Sequence, residues 1–212
     1  MKLYSNDEIL YIIRNIFNNK TIMFVYFSGS TAYKTEDENS DIDVNVVLVD
    51  LNGSVHLNVD NIDIFAYGID LYTKRQKLED NIPNFYKMNV DDVLLIDNNL
   101  IYLDERFRNE FNVCKDVKLE TNLKPFLNSF VTYHHTRFHE SEVPGKWQYH
   151  ILRIRGMLDH YDKTGKYEMI IEEPWKSYLF DYKKNYKSNK GIVYQQLIKE
   201  QLDYLSNYKD RL

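Results

Sequence analysis

A single cysteine, Cys114, stands in 212 residues. That excludes a disulfide framework and a cysteine-rich zinc site, and it suits a reducing, cytoplasmic compartment. No stretch approaches the roughly 20 apolar residues that a membrane-spanning helix needs, so no membrane association is expected. The opening MKLYSNDEIL has neither the continuous apolar core nor the small-residue cleavage site of a signal peptide. An excess of positive charge is also missing. With 27 Lys and Arg against 32 Asp and Glu, the net charge is -5, so no broad basic field advertises a long nucleic acid, although a local basic groove is compatible with it. Alanine and glycine are scarce while asparagine and tyrosine are abundant, with 7 Gly against 18 Tyr. That bias points to an AT-rich genome, a low-GC bacterium or its phage, and not to a mechanism. The remaining composition, 43% hydrophobic and 28% charged, is that of a globular protein long enough for one large domain or two small ones.

The chain begins with a capping box, Ser5 and Glu8, ahead of Ile9, Ile12, Ile13, Ile16 and Phe17. This predicts an amphipathic first helix. The β-branched and aromatic run 21–27 reads as a buried strand broken by Gly29, and 41–49 reads as a second strand. Asn52-Gly53 is a hairpin signal, and 55–59 and 62–67 follow as short strands. From about Asp70 the period turns helical, with one helix around Leu71 to Leu78, Pro83 as a break, and another segment over 91–96. The sequence turns polar near 113–122, which suggests a boundary: a first domain over 1–115 and a helical second domain over 116–212. In the second, helices are expected at about 123–140, 147–163 and 191–207, punctuated by Pro144-Gly145 and by Lys163-Thr164-Gly165-Lys166.

Residues 27–49 read FSGSTAYKTEDENSDIDVNVVLV. Alternate residues of a strand share a face, so Asp41 and Asp43 project together, opposite Ile42 and Val44. Two carboxylates held that close repel unless a cation lies between them. A hard divalent ion such as Mg²⁺ suits oxygen ligands when phosphates complete its shell. Gly29 after a strand allows a tight turn and a close backbone approach. The short helix expected from Ser30 to Tyr33 would turn its free N–H groups toward a phosphate. Alone, a Gly-Ser pair or an Asp-x-Asp is a weak signal. Together, between apolar strands and with Asp63 downstream, they imply a nucleoside triphosphate bound with its metal.

These residues, Gly29-Ser30 after an apolar strand and Ser40-Asp41-Ile42-Asp43-Val44 within the next, resemble the signature of the nucleotidyltransferase superfamily of DNA polymerase beta, in the form found in small bacterial and phage-type members. The resemblance implies a mixed α/β catalytic sheet with flanking helices, followed by an α-helical C-terminal domain. It also implies a third carboxylate on a neighbouring strand. Asp63, alternating with Ile62 and Ile64, is the candidate, and Asp60, in an expected turn, is the fallback. It implies two Mg²⁺ ions, with Mn²⁺ as the alternative, held by Asp41, Asp43 and Asp63, with Asp63 drawing the proton from the attacking hydroxyl. The chemistry implied is transfer of a nucleoside monophosphate from a triphosphate to a hydroxyl acceptor, releasing pyrophosphate. One position departs from the pattern: small members often carry glycine where this chain has Lys34, which reads either as a phosphate contact or as a solvated side chain.

A weaker likeness runs through the second half, where many small members have His-x-x-Arg and then Thr-Gly-Lys. Here the residues are His150, Arg153 and Thr164-Gly165-Lys166. The resemblance implies that Lys146, His150 and Arg153 contact the triphosphate, whereas their bland reading is a charged helix face with a core histidine. His135 and His139, i and i+4, lack the following glutamate of a metalloprotease. The acceptor is left open among a small molecule, a protein side chain and an RNA 3′ end, the acidic balance favouring the first two. The alternative from another class is a non-catalytic nucleotide- or partner-binding protein on the same scaffold, of antitoxin or host-interaction type. A phosphohydrolase is a further alternative, weakened by the lack of His-Asp clusters.

Overall fold

The computed structural model describes residues 4–36, 40–140 and 145–212. Pro144 of the expected Pro144-Gly145 break lies outside them, as do the side chains of His139, Glu140 and Ile192. In chain order the elements are α1 (Asn6–Ile16), β1 (Ile22–Phe27), α2 (Gly29–Tyr33), β2 (Ile42–Leu48), β3 (Ser54–Val59), β4 (Ile62–Gly68), α3 (Ile69–Gln76), α4 (Asn84–Lys87), a 3-10 turn (Val90–Leu95), α5 (Ile96–Asn99), β5 (Leu100–Leu103), a second 3-10 turn (Glu105–Phe107), α6 (Arg108–Lys115), α7 (Leu119–Glu140), a third 3-10 turn (Lys146–Gln148), α8 (Tyr149–Thr164), α9 (Trp175–Asn185) and α10 (Asn189–Arg211). The protein is mixed α/β. A five-stranded mixed sheet with flanking helices is followed by a helical region, and the chain divides into two compact units: residues 1–82 with 90–117, and residues 83–89 with 118–212.

In the first unit the strands lie in the order β3-β4-β2-β1-β5. β1 is antiparallel to β2 and β5, β2 is parallel to β4, and β4 is antiparallel to β3. The capping box forms as the sequence predicts, with the Ser5 hydroxyl accepting from the Glu8 N–H and the Glu8 carboxylate accepting from the Ser5 N–H. It starts α1, whose Ile9 and Ile13 pack with Val25, Ile42, Val44, Val46, Leu48, Ile62, Ile64 and Ala66 on one face of the sheet. Those strand residues occupy one side of the pleat. The intervening residues, Asp43, Asn45 and Val47 on β2 and Asp63, Phe65 and Tyr67 on β4, therefore share the other. On that second face, Phe24 meets Tyr72 and Phe111 edge-on, at 5.5 and 5.2 Å between ring centroids.

The Asn52-Gly53 signal does not make a β2–β3 hairpin. Both strands pair with β4, which lies between them. Gly53 takes φ +88°, and its carbonyl accepts from the Gly68 N–H at 2.8 Å, so the turn sits over the end of β4. The actual hairpin joins β3 to β4 through Asp60, at φ +55°, and Asn61.

In the second unit α7 is kinked at Asn122 (φ -117°, ψ 16°). The helix restarts there, which places Pro125 in its first turn, where a missing N–H costs nothing. The Asn122 amide donates to the Lys118 carbonyl at 2.9 Å. Leu123, Phe126, Leu127 and Phe130 on α7, Ile151, Leu152, Ile154 and Leu158 on α8, Leu179 and Tyr182 on α9, and Ile198, Leu202 and Leu205 on α10 are all buried. α8 ends on Gly165 at φ +71°, the left-handed position that glycine occupies without strain.

Candidate functional site

The turn after β1 closes directly on β2. The Ser28 N–H donates to the Asp43 carbonyl at 2.9 Å. Gly29 follows with φ +55°, and a Cβ built on it would lie 2.0 Å from Asp43 Oδ2. No side chain fits between the Gly29 backbone and that carboxylate. The glycine and the second aspartate of Asp-x-Asp, fourteen positions apart in the sequence, are thus in contact. α2 then buries Ser30 and Ala32. It ends on Lys34, exposed and left-handed at φ 54°, ψ 41°, with its N–H bonded back to the helix carbonyls. The conformation at Lys34 is one that glycine adopts freely.

β2 and β4 run parallel in a register that sets Asp43 beside Asp63. Register partners on adjacent strands lie about 4.8 Å apart and point to the same side, so the two carboxylates stand on the sheet face away from α1. Both residues are half-buried. Asp41 precedes β2 and is exposed, while Ser40 before it is buried. Among the described residues, no group of three or more His, Cys, Asp or Glu side chains is close enough together to hold a metal ion. The structure therefore joins Asp43 to Asp63, and does not join Asp41 to them in a preassembled cluster. The donor set nonetheless fits Mg²⁺: two hard carboxylates in register beside a glycine backbone, with an exposed third carboxylate two residues before the first.

Two residues that the sequence reading did not single out act on Asp63. Asn58 on β3 donates through Nδ2 to Asp63 Oδ1 at 2.7 Å. His56 Nε2 stands 3.6 Å from the same oxygen, its ring stacked on Phe65 at 4.3 Å and 6°. The β3–β4 register makes Asn58 the partner of Asp63 and His56 the partner of Phe65. Counting outward from the Asp60-Asn61 turn would have found both. Asp60, the fallback carboxylate, is at the turn and accepts from the Tyr4 hydroxyl at 3.0 Å.

Farther along the same face is a buried polar layer. The Tyr26 and Tyr72 hydroxyls are 2.9 Å apart. Arg75, 2% exposed, lies over the Tyr67 and Tyr72 rings and 3.8 Å from Asp92. Burial pushes the Tyr26 phenol up to about 12, against the opposing pull of Arg75. Tyr26 therefore stays protonated at any ordinary pH.

The other sequence-predicted residues fall in the second unit. Lys146 is half-buried in the 3-10 turn before α8. His150 and Arg153 lie one turn apart on α8, and Arg153 is fully buried with Nη1 3.7 Å from Met157 Sδ. The His150 ring stacks on Tyr149 at 4.1 Å. Beside them is His134 of α7, 1% exposed and set between Phe130 and Trp147 at 4.2 and 5.3 Å. Burial, reinforced by Arg137 and Arg153, holds the His134 imidazole down at about 3, and burial with Arg153 holds His150 well below its usual range. Both are neutral at physiological pH.

No protein-family model matches the chain, and no curated protein matches it.

Proposed function

We propose that the protein is a metal-dependent nucleotidyltransferase that moves a nucleoside monophosphate from a nucleoside triphosphate to a hydroxyl acceptor, with pyrophosphate leaving. The observation that carries this reading is the meeting of Gly29, Asp43 and Asp63: a glycine turn pressed against one carboxylate, with a second in parallel register beside it. A structural protein gains nothing from adjacent carboxylates on a sheet face, since like charges side by side weaken a sheet. A site for a cation and a phosphate chain accounts for both, and for a backbone that admits no side chain at Gly29.

Asp41, Asp43 and Asp63 would hold the Mg²⁺ ions. When bound, the metal supplies Lewis-acid stabilisation of charge on the phosphoryl oxygens. The chain's own residues do the rest. Asp63 accepts the proton of the attacking hydroxyl, and Asn58, bonded to Oδ1, directs the other oxygen of Asp63 to that task. Gly29 leaves its backbone open to the leaving phosphates. The acceptor belongs to the small-molecule, protein or RNA hydroxyls. The acidic balance favours the first two, because a long nucleic acid is held mainly through cationic contacts to phosphate.

The direct test is release of pyrophosphate from each of four nucleoside triphosphates, with label on the α-phosphate, in the presence of a host-cell extract as the source of acceptor. Label should move into an acceptor fraction with wild type and not with Asp43→Asn. Release of orthophosphate instead would identify a hydrolase, and equal transfer by the variant would refute the role given to Asp43.

A further inference from the structure

The sheet unit holds a cavity that the transfer reading does not use. It measures about 430 Å³ and lies beside the C-terminal ends of α3 and α6. Gln76, Lys77, Val113, Cys114, Asp116 and Val117 are among the residues that line it. Gln76 is 7% exposed, and neither Nε2 nor Oε1 has a hydrogen-bond partner among the described residues. Buried polar atoms are bonded in the large majority of cases, and an amide with both ends unmet is costly. A methionine of similar volume would line the cavity without that cost. An occupant of the cavity that bonds the amide would remove it too. The walls define the charge of that occupant. One lysine, Lys77, and one aspartate, Asp116, line the cavity and offset each other. Two helices end there, at Gln76 and Lys115, and a helix C-terminus disfavours an oxyanion. A neutral molecule suits these walls, with Val113 and Val117 giving apolar contact.

We propose that this cavity binds a small neutral ring that carries a hydrogen-bond donor and an acceptor side by side, as a free nucleobase does, and that Gln76 recognises that edge. A glutamine amide presents one donor group and one acceptor, so a single edge of this kind answers both. The amide is closed to water, so binding includes a turn of the Gln76 side chain toward the ring. Val113 and Val117 take the apolar surface of the ring. Neither metal nor phosphate takes part, and the carboxylates of the sheet face are not used. The inference does not depend on the transfer reading. A protein that transfers nothing would still bind the ring.

The test uses the full chain with free adenine and, separately, free uracil, in EDTA and without phosphate. Binding is read by calorimetric titration and by the rate at which a disulfide reagent modifies Cys114, the chain's single cysteine. Cys114 is 3% exposed and burial pushes its thiol pKa up, so the reaction is slow, and an occupied cavity slows it further. At least one base should bind wild type and protect Cys114. The fully N-methylated form of that base, which keeps the ring and lacks the donors, should do neither. Gln76→Met should bind it more weakly by roughly tenfold or more, while melting no lower than wild type without ligand. The double variant Asp43→Asn, Asp63→Asn should bind as wild type does. No binding of either base by wild type, equal binding of the methylated form, or unchanged binding by Gln76→Met would overturn the proposal. Loss of binding in the double variant would move the ring to the sheet carboxylates and overturn it equally. Should Gln76→Met fail to fold, the side-chain amide resonances of the wild-type protein decide. The base must shift those of Gln76, and unmoved resonances would count against the site.

Discussion

At the scale of single residues, the account rests on a contact that one methyl group would abolish. Gly29→Ala forces an L side chain into φ +55° and into Asp43 Oδ2. The backbone term alone costs about 1–2 kcal/mol, and displacement of the carboxylate should abolish transfer. A urea melt and the label-transfer assay read the two effects separately. Lys34→Gly removes the same left-handed strain at φ 54°. It should stabilise by about 0.5–1 kcal/mol after the entropic cost of glycine. If Lys34 is only a solvated helix end, nucleotide affinity will not change, and if it contacts phosphate, affinity will fall while stability rises. Asp43 and Ile42 were legible from period-two alternation. Asn58 was not, because a side chain that positions another carries no motif. His134 was not singled out, since its burial between Phe130 and Trp147 cannot be read from neighbours in sequence.

At the scale of elements, strong local signals read well and tertiary pairing did not. The capping box of α1 and the apolar runs of β1 and β2 name their own structure. Asn52-Gly53 names a turn, but whether a turn joins adjacent strands is decided by what inserts between them, and here β4 does. β5, four residues long with no period to show, was missed. So were α6 and α9. α9 lies close to α8 at Gly156, where an added Cβ would stand 2.8 Å from Ile171 Cγ2 and 3.0 Å from Trp175 Cβ. Gly156→Ala should therefore destabilise the helical unit by about 1–3 kcal/mol, despite alanine's better helix propensity. A chemical-denaturation curve showing stabilisation instead would mean that this helix pair gives way freely. On the same helix, His160 is held between Glu168 and Glu172, at 3.0 and 3.2 Å. Hydrogen bonds to these carboxylates raise its pKa, because donation from both ring nitrogens requires the imidazolium.

At the scale of the whole molecule, these histidines set opposite limbs of one stability profile. His134 and His150 are neutral in the folded protein and protonate near 6.5 when unfolded. Between about pH 3 and 6.5 for His134, and below about 6.5 for His150, the unfolded chain binds more protons, so stability rises with pH there, by up to ~1.4 kcal/mol per pH unit for each group. His160 works the other way. Its folded pKa is raised, so its contribution is complete below about 6.5 and is lost as pH climbs through the folded value. Melting temperature should peak near neutrality. His134→Phe should flatten the acid limb and His160→Gln the alkaline limb, and a variant that leaves its own limb unchanged would contradict the assignment. The division into a sheet unit and a helical unit follows from composition and period along the chain. The return of residues 83–89 to the helical unit does not, because so short a segment has no periodicity of its own.

The central claim is that Asp43 and Asp63 hold a metal and a nucleotide together. The measurement that tests it most directly is a melting-temperature series for wild type and for Asp43→Asn, Asp63→Asn, with each nucleoside triphosphate, with and without Mg²⁺. The account predicts a Mg²⁺-dependent rise with at least one nucleotide in wild type. In the double variant that dependence should vanish, while the ligand-free protein melts no lower than wild type, since the substitutions relieve repulsion. A rise that ignores Mg²⁺, or one that survives in the double variant, would contradict it.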